Sequence, residues 1–249
     1  GESWEPNHLE IQRVQISFPR LRRPIRIVHL SDLQTDGIGA MQLAARKAAN
    51  EFDPDIIVFT GDVLNHSSLI PEVGEYLRGF SHRHGAFFVS GNVDGILPPK
   101  KFCREAGFEF LDGSARTLDV DGARLGVMGL GLSGFRDSWT LERLVLETKT
   151  ADIRVLLSHV PDALEIAKNS PVHLLFSGHT HGGQVCLPWI GPIITLSGVP
   201  RAIAAGGLHQ IDGLKVLVSR GLGMEGHIAP RVRTFCRPHL LLVEIIPEK

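Results

Sequence analysis

The sequence predicts an α/β protein in which two mixed β-sheets pack face to face with helices on the outside. Short apolar runs alternate with segments whose apolar residues recur at helical spacing, as is typical of β-α-β units. Two other regions carry an Asp-Gly pair between apolar runs, at 121–122 and 212–213, and such pairs indicate tight antiparallel hairpins. The chain therefore contains signals for both parallel and antiparallel pairing.

The first part of the chain shows the β-α-β alternation most clearly. Its predicted elements are an entry strand at 11–18, strands at 25–30, 55–60 and 86–90, and helices at 40–51 and 73–80. The run 25–30 is mostly apolar, as expected for a strand buried on both faces. The helix at 40–51 ends before Asp53-Pro54, where proline prevents its continuation.

The rest of the chain mixes hairpins with further α/β units. Strands are predicted at 108–111, 117–120, 124–130, 154–157, 173–176, 208–211, 214–219 and 240–246, and helices at 140–147 and 163–169. The chain has 249 residues, 43% hydrophobic and 21% charged, with no repeat, linker or low-complexity tract. We therefore expect one domain over 1–249 and a monomer.

Charge and cysteine content restrict the partners and the compartment. A net charge of −1 provides no basic field for nucleic acid, so no nucleic-acid partner is expected. One basic cluster precedes the strand at 25–30 and forms either a solvated loop or a contact with anionic lipid headgroups; it comprises Arg20, Arg22, Arg23 and Arg26. Three cysteines cannot all pair with one another, which favours a reducing compartment.

Seven polar residues directly follow five of the apolar runs. They are Asp32 and Gln34 after 25–30, Asp62 after 55–60, Asn92 after 86–90, His159 after 154–157, and His179 and His181 after 173–176. In open α/β sheets, sites form at the carboxyl ends of the strands. Aspartate, asparagine and histidine together suit divalent metals of intermediate hardness. The sequence therefore predicts a site for one or two such ions.

The order of these motifs resembles the calcineurin-like metallophosphoesterases, which carry Asp-x-His, Gly-Asp, Gly-Asn-His-Asp, a lone His and Gly-His-x-His. The resemblance runs from about Ile25 to Glu244. Within it, the Gly-His-Thr-His-Gly-Gly-Gln segment at 178–184 and Ser-Arg-Gly-Leu-Gly at 219–223 look like a bacterial branch that includes YkuE and YaeI. The resemblance implies a four-layer αββα sandwich and a pair of divalent metal ions.

The same resemblance implies a role for each site residue. Asp62 would bridge the ions and, with Asn92, form the catalytic pair. The first ion would take Asp32, Gln34, Asp62 and His181, and the second would take Asp62, Asn92, His159 and His179. Such ions activate a shared water and neutralise phosphoryl charge. Gln184 and Arg220 are implied to contact substrate phosphate.

Two residues depart from the family pattern. Gln34 stands in place of a histidine, either as an oxygen ligand or only as a hydrogen-bond partner; an oxygen ligand favours Mn²⁺, with Mg²⁺, Fe or Zn²⁺ as alternatives. Val93 replaces the histidine of Gly-Asn-His-Asp and cannot protonate a leaving group. A phosphate leaving group, with a second pKa of about 6, needs no such proton. We therefore expect a phosphoanhydride or activated phosphodiester substrate.

Several functional hypotheses stay open. One substrate of the expected kind is UDP-2,3-diacylglucosamine of lipid A biosynthesis, cleaved to UMP and a lipid monosaccharide phosphate. In that case the apolar residues Trp189, Ile190, Ile193, Ile194 and Leu196 line an acyl groove; otherwise they are core and rim residues. The alternatives are a general phosphodiesterase or phosphatase for another lipid or nucleotide, and a non-enzymatic metal-binding scaffold.

The resemblance also bears on location. Similar proteins often carry a membrane segment just before a Glu-Pro pair like Glu5-Pro6, so we expect peripheral or anchored membrane association. The cytoplasmic face of the inner membrane is the expected place, with an extracytoplasmic location as the alternative.

Overall fold

Two six-stranded sheets form the centre of the protein in the computed structural model, which describes residues 8–19, 21–225 and 232–248. The described strands, in chain order, are β1 Glu10–Phe18, β2 Ile25–Leu30, β3 Ile56–Phe59, β4 Gly85–Phe88, β5 Glu109–Phe110, β6 Ser114–Val120, β7 Ala123–Leu130, β8 Ile153–Ser158, β9 Leu174–Ser177, β10 Cys186–Leu187, β11 Gly191–Pro192, β12 Gly207–Ile211, β13 Leu214–Val218 and β14 His239–Pro247.

Both sheets are mixed, as the sequence predicts. The first has the order β1-β14-β2-β3-β4-β5, and the second has the order β12-β13-β9-β8-β7-β6. Strands β2 to β5 pair in parallel, as do β7, β8, β9 and β13. The predicted Asp-Gly hairpins join β6 to β7 and β12 to β13, with Asp121 and Asp212 at left-handed φ of 48°. Strand β14 inserts between β1 and β2, next to a strand more than 200 residues away.

Within the described residues, three apolar cores separate four layers, which confirms the predicted αββα sandwich. In β2, Ile25 and Ile27 face the core between the sheets, whereas Val28 and Leu30 face the core beneath the first helical layer. The third core lies between the second sheet and the remaining helices. Because side chains alternate along a strand, a strand with apolar residues on both faces, such as β2, can contribute to two cores at once.

The helices differ more from expectation than the strands do. They are α1 Ala40–Glu51, α2 Ile70–Arg78, α3 Pro99–Ala106, α4 Ser138–Glu147, α5 Leu164–Ala167 and α6 Arg201–Ala204. Neither α3 nor α6 is predicted by the sequence analysis, and the predicted helix at 163–169 is only one turn of α-helix. The α3 helix begins with proline, ends at Gly107 in a left-handed conformation and buries Phe102, Cys103 and Ala106.

The described members of the predicted basic cluster, Arg22, Arg23 and Arg26, lie at the start of β2, at the opposite end of that strand from Asp32. Arg23 pairs with Asp55 at 3.2 Å and also with Asp121, while Arg26 lies 3.4 Å from Glu244. These pairs compensate much of the positive charge on which the lipid-contact interpretation depends. Arg20 and the Glu5-Pro6 pair lie outside the described residues. None of the described helices has both the length and the apolar composition required to cross a membrane.

Candidate metal centre

All seven predicted residues lie in loops at the carboxyl ends of five parallel-paired strands. Asp32 and Gln34 follow β2, Asp62 follows β3, Asn92 follows β4, His159 follows β8, and His179 and His181 follow β9. The two sheets each contribute one edge, so the residues meet where those edges adjoin. The structure brings together the residues that the strand-end pattern selects.

On one side of the site, Asp32, Asp62 and His181 present ligand atoms that all lie within 4.8 Å of one another. His181 Nε2 is 3.4 Å from Asp32 Oδ1. The side-chain amide of Gln34 donates to Asp62 Oδ2 and to Glu225 Oε2, each at 3.1 Å. We call Asp32, Gln34 and His181 the inner half of the site; all three are buried.

On the other side, Asn92, His159 and His179 form the cavity half. His159 Nδ1 lies 2.7 Å from the carbonyl oxygen of Thr60, which can only accept, so Nδ1 carries the proton. Its Nε2 then lies 2.9 Å from Asn92 Oδ1 and 3.2 Å from His179 Nδ1. A carbonyl that orients a histidine in this way is the usual support of a metal ligand.

Asp62 belongs to both halves. Its Oδ2 is 3.4 Å from His159 Nε2, and its Oδ1 accepts the backbone N–H of Val93 at 2.9 Å. Burial raises the pKa of Asp62, but the charge and hydrogen bond of His159 outweigh it, so the pKa lies below its ordinary value. This position matches the carboxylate that the sequence analysis places between two ions.

The electrostatics favour a positive charge at the centre. Burial raises the pKa of Asp32 to about 7, with the charge of His159 opposing that rise. Burial alone would lower the pKa of His159, but the charge of Asp62 overrides it and raises the value to about 10. The buried carboxylates therefore stabilise either a proton or a metal ion at this point.

The inner half also has polar atoms with unmet bonding capacity. Both ring nitrogens of His181 and the Oε1 atom of Gln34 are buried and have no hydrogen-bond partner among the described residues. Leaving such groups unsatisfied costs about 1–3 kcal/mol each. Together with the carboxylates, these nitrogen and oxygen atoms form a donor set that fits a divalent metal ion.

The ligand loops have unusual backbone conformations. Five of the seven residues have left-handed φ angles between 24° and 68°; they are Asp32, Gln34, Asp62, His179 and His181. Glycines pack directly against them, since a Cβ atom on Gly178 would collide with Ser31 and Asp32, and one on Gly91 would collide with Asp62. The glycines of the motifs are therefore needed for close approach of the loops.

Several supporting residues are not identified by the sequence analysis. The carboxylate of Asp94 accepts backbone N–H groups from Asp62, Val63 and Gly91 at 2.8–2.9 Å and so fixes two ligand loops. Its only sequence signal is its place at the end of Gly-Asn-Val-Asp. Arg233 is fully buried and donates to the carbonyls of Arg220 and Gly223, each at 2.6 Å.

That loop is itself attached to the inner half. The backbone N–H of Gly223 donates to the carbonyl of Asp32 at 2.7 Å. A second support runs from His29 through Thr60 and Ser31 to the Asp32 carboxylate, with successive distances of 2.9, 2.8 and 2.5 Å. His29 thus acts on the site only through intermediate side chains.

A cavity of about 700 Å³ opens beside the cavity half. Asn92, His179 and His181 line it on the polar side, and the apolar wall includes Val93, Ile96, Ile193, Ile194 and Leu196. Gln184 also lines it, with its amide held by Glu225, whose backbone N–H donates to Gln184 Oε1 at 2.6 Å.

Arg220 lies elsewhere. Its guanidinium pairs with Glu10 at 2.8 Å and borders a separate groove, so the structure does not place Arg220 where the sequence analysis expects a phosphate contact.

The comparison with known families agrees with this geometry. A family model described as calcineurin-like phosphoesterase matches residues 25–183, which contain all seven site residues. The chain belongs to this family. The predicted family and the predicted class of metal-dependent phosphoesterase are thereby confirmed.

Individual members of the family resemble the chain to different extents. YkuE of Bacillus subtilis, an uncharacterized metallophosphoesterase, is 35% identical over 70% of this chain, but the match spans only 63% of YkuE. Phosphodiesterase YaeI of Escherichia coli is 26% identical over 97% of this chain and 90% of its own. The UDP-2,3-diacylglucosamine pyrophosphatase LpxG of Chlamydia muridarum is 26% identical over 98% of this chain and 91% of its own.

A solved structure shares the fold at lower identity. The Haemophilus influenzae NAD nucleotidase NadN superposes with a TM-score of 0.56 and 12% identity, covering 80% of this chain and 51% of that chain.

Proposed function

We propose that the chain is a dinuclear metal-dependent phosphoesterase that cleaves a phosphoanhydride or activated phosphodiester bearing an apolar group. The observation that carries this proposal is Val93, which lines the cavity directly after the ligand Asn92. A valine side chain holds no transferable proton. A leaving group that departs next to it must therefore be stable as an anion, as a phosphate is.

The donor set supports two ions, with Asp62 between the inner half and the cavity half. Divalent ions bound there would activate water and neutralise charge on the phosphoryl oxygens. The residues of the chain supply positioning: Val93 N–H and Gln34 hold the Asp62 carboxylate, and the Thr60 carbonyl orients His159. As a direct ligand, Gln34 would offer oxygen where a histidine would offer nitrogen, which would favour Mn²⁺ over Zn²⁺.

The cavity wall supports an apolar group on the substrate. Ile193, Ile194 and Leu196 form one side of the cavity, and Ile96 faces it from the loop after Asn92. Apolar walls beside a few polar groups are typical of sites for amphipathic ligands. Since LpxG is named for UDP-2,3-diacylglucosamine, that compound is the first substrate to test, with UMP and a lipid monosaccharide phosphate as products.

The test compares three substrates on the purified protein, loaded in turn with Mn²⁺, Mg²⁺ and Zn²⁺. They are UDP-2,3-diacylglucosamine, the water-soluble UDP-N-acetylglucosamine and a simple alkyl phosphate ester. We expect metal-dependent release of UMP, fastest from the acylated compound and greatest with Mn²⁺. A preference for the alkyl ester would contradict the anhydride proposal. Bound metal without hydrolysis of any of the three, or of a p-nitrophenyl diester, would favour the non-enzymatic scaffold.

A further inference from the structure

A short hairpin beside the metal cavity carries an unusual set of exposed apolar side chains. Strands β10 and β11 pair antiparallel, and Pro188, Trp189 and Ile190 form the tip between them. Trp189 is as exposed as in a free peptide, at 103%, and Ile190 is 63% exposed. We call Trp189 and Ile190 the hairpin tip.

The apolar surface continues from the hairpin tip toward the site. Ile193, Ile194 and Leu196 follow the hairpin, remain substantially exposed and also form the wall of the metal cavity. The carbonyl of Leu196 lies 3.2 Å from His179 Nε2, so this segment reaches a metal-ligand candidate directly. The tip and the mouth of the cavity therefore belong to one face of the protein.

The positions of the charged residues on this face favour one kind of binding partner. The stretch 185–200 contains no charged residue and no histidine. Two exposed basic residues lie beside it: Arg201 begins α6, which packs beside β11, and Arg237 borders the groove next to Trp189. The acidic residue in that groove is Glu10, which pairs with Arg220.

An uncharged apolar tip with an exposed tryptophan and basic neighbours matches the requirements of a lipid interface. Tryptophan prefers the boundary between headgroups and acyl chains, and basic side chains next to it gain attraction from anionic lipids. A stable interface between protein copies engages about 20–30 residues on each side, far more than this hairpin offers.

We propose that the hairpin tip inserts into the surface of an anionic phospholipid bilayer and thereby holds the mouth of the metal cavity against the membrane. The contact is peripheral and reversible, because few side chains enter the lipid. Binding of the hairpin tip to the bilayer does not depend on catalysis. A substrate with acyl chains would reach the apolar cavity wall without passing through water.

The experiment measures co-sedimentation of the purified chain with vesicles of phosphatidylcholine, with and without phosphatidylglycerol. The chain offers a matched control outside the hairpin, because α4, which packs against the second sheet, carries Trp139 at 74% and Leu146 at 68% exposure. The test variant is Trp189→Ser with Ile190→Ser, and the control variant is Trp139→Ser with Leu146→Ser. Hydrolysis of a water-soluble diester, normalised to bound metal, checks that both variants are folded.

We expect the tip variant to bind anionic vesicles about tenfold or more weakly than the parent, since two apolar side chains no longer leave water. The control variant should bind like the parent, and removal of phosphatidylglycerol should weaken binding of both. Asp62→Asn protein should still bind vesicles, which separates this proposal from the proposed hydrolysis. Equal binding by the tip and control variants would overturn the proposal. The proposal would also be overturned if the parent chain dimerised through the hairpin tip and did not bind vesicles.

Discussion

The inner half and the cavity half of the metal centre contain similar residue types but differ in how those residues are satisfied. In the cavity half, His159, Asn92 and His179 contact one another at 2.9–3.2 Å. In the inner half, both nitrogens of His181 lack a hydrogen-bond partner among the described residues, and Gln34 has an unsatisfied oxygen. The cavity half is thus internally bonded, whereas the inner half retains buried polar atoms that a bound cation would satisfy.

The inner half and the cavity half also differ in the residues that surround them. The inner half is buried and is supported by Ser31, Glu225 and the loop that Arg233 holds. The cavity half opens to solvent at Asn92, which is where a substrate would enter. We therefore expect substitutions in the inner half to alter metal binding and those near Asn92 to alter substrate choice.

The largest effect is expected where the two halves share a residue. Asp62→Asn keeps the size of the side chain but removes its charge, so hydrolysis of a p-nitrophenyl diester should fall by at least about 10³-fold. The kcat and the metal content are to be measured together. Asp55→Asn is the matched control, because Asp55 is equally buried but pairs with Arg23 and Arg83 at the other end of the sheet. An equal loss of kcat in the two folded variants would show that Asp62 has no special role in the site.

Next to the cavity half, Val93→His tests the choice of leaving group. The backbone N–H that holds Asp62 is retained, and the half-buried side chain faces the cavity. The variant should hydrolyse alkyl esters about 10²–10⁴-fold faster, because general-acid assistance matters only where the leaving group needs a proton. Rates on a pyrophosphate diester should hardly change. Similar gains on both substrates would show that Val93 acts through packing or metal geometry.

In the inner half, Gln34→His should change metal binding rather than substrate choice. An imidazole in place of the amide should tighten binding of Zn²⁺ by about 10–100-fold and reduce the preference for Mn²⁺. Isothermal titration of metal-free protein measures both affinities. An unchanged affinity would mean that Gln34 contacts only Asp62 and Glu225. The Val93→His variant serves as the comparison and should leave the affinities near those of the parent.

The smallest effect on hydrolysis is expected from His29, which supports the inner half from a distance and acts on stability. Burial lowers its pKa to about 3, far below the value of about 6.5 expected in the unfolded chain. The unfolded state therefore takes up the proton first. The stabilising contribution of neutral His29 is complete above about pH 6.5 and declines toward pH 3, by up to about 1.4 kcal/mol per pH unit.

Urea unfolding between pH 7 and pH 4 tests this effect. His29→Gln should retain a side-chain partner for Thr60 and flatten the decline in the free energy of unfolding. Exposed His66→Gln is the control and should leave the decline unchanged. If both variants behave like the parent, other buried groups dominate the acid sensitivity.

The sequence predicts the site better than it predicts the surroundings. Each ligand follows an apolar strand, and the strand-end rule alone brings Asp62 and His159 together across two sheets. The short α3 helix escapes notice because eight residues give too little periodicity, although its terminal proline and glycine are visible. The insertion of β14 between β1 and β2 depends on pairing between distant segments, which local patterns do not encode.

The orientation of side chains is harder still to predict. Arg220 follows a motif-like segment, but its guanidinium turns toward Glu10, away from the cavity. Arg233 carries no motif, and charged residues are rarely buried in full. Its role emerges only from the backbone carbonyls that converge on it.

The left-handed backbone conformations of the candidate metal ligands also limit how this protein can evolve or be engineered. Backbone strain of this kind costs about 1–3 kcal/mol per residue, and glycine would relieve it. Glycine at Asp32, Asp62 or His181 would therefore remove strain and metal binding in one step. Screening a mutant library for thermal resistance alone would tend to select inactive proteins, so such a screen must monitor metal retention in parallel.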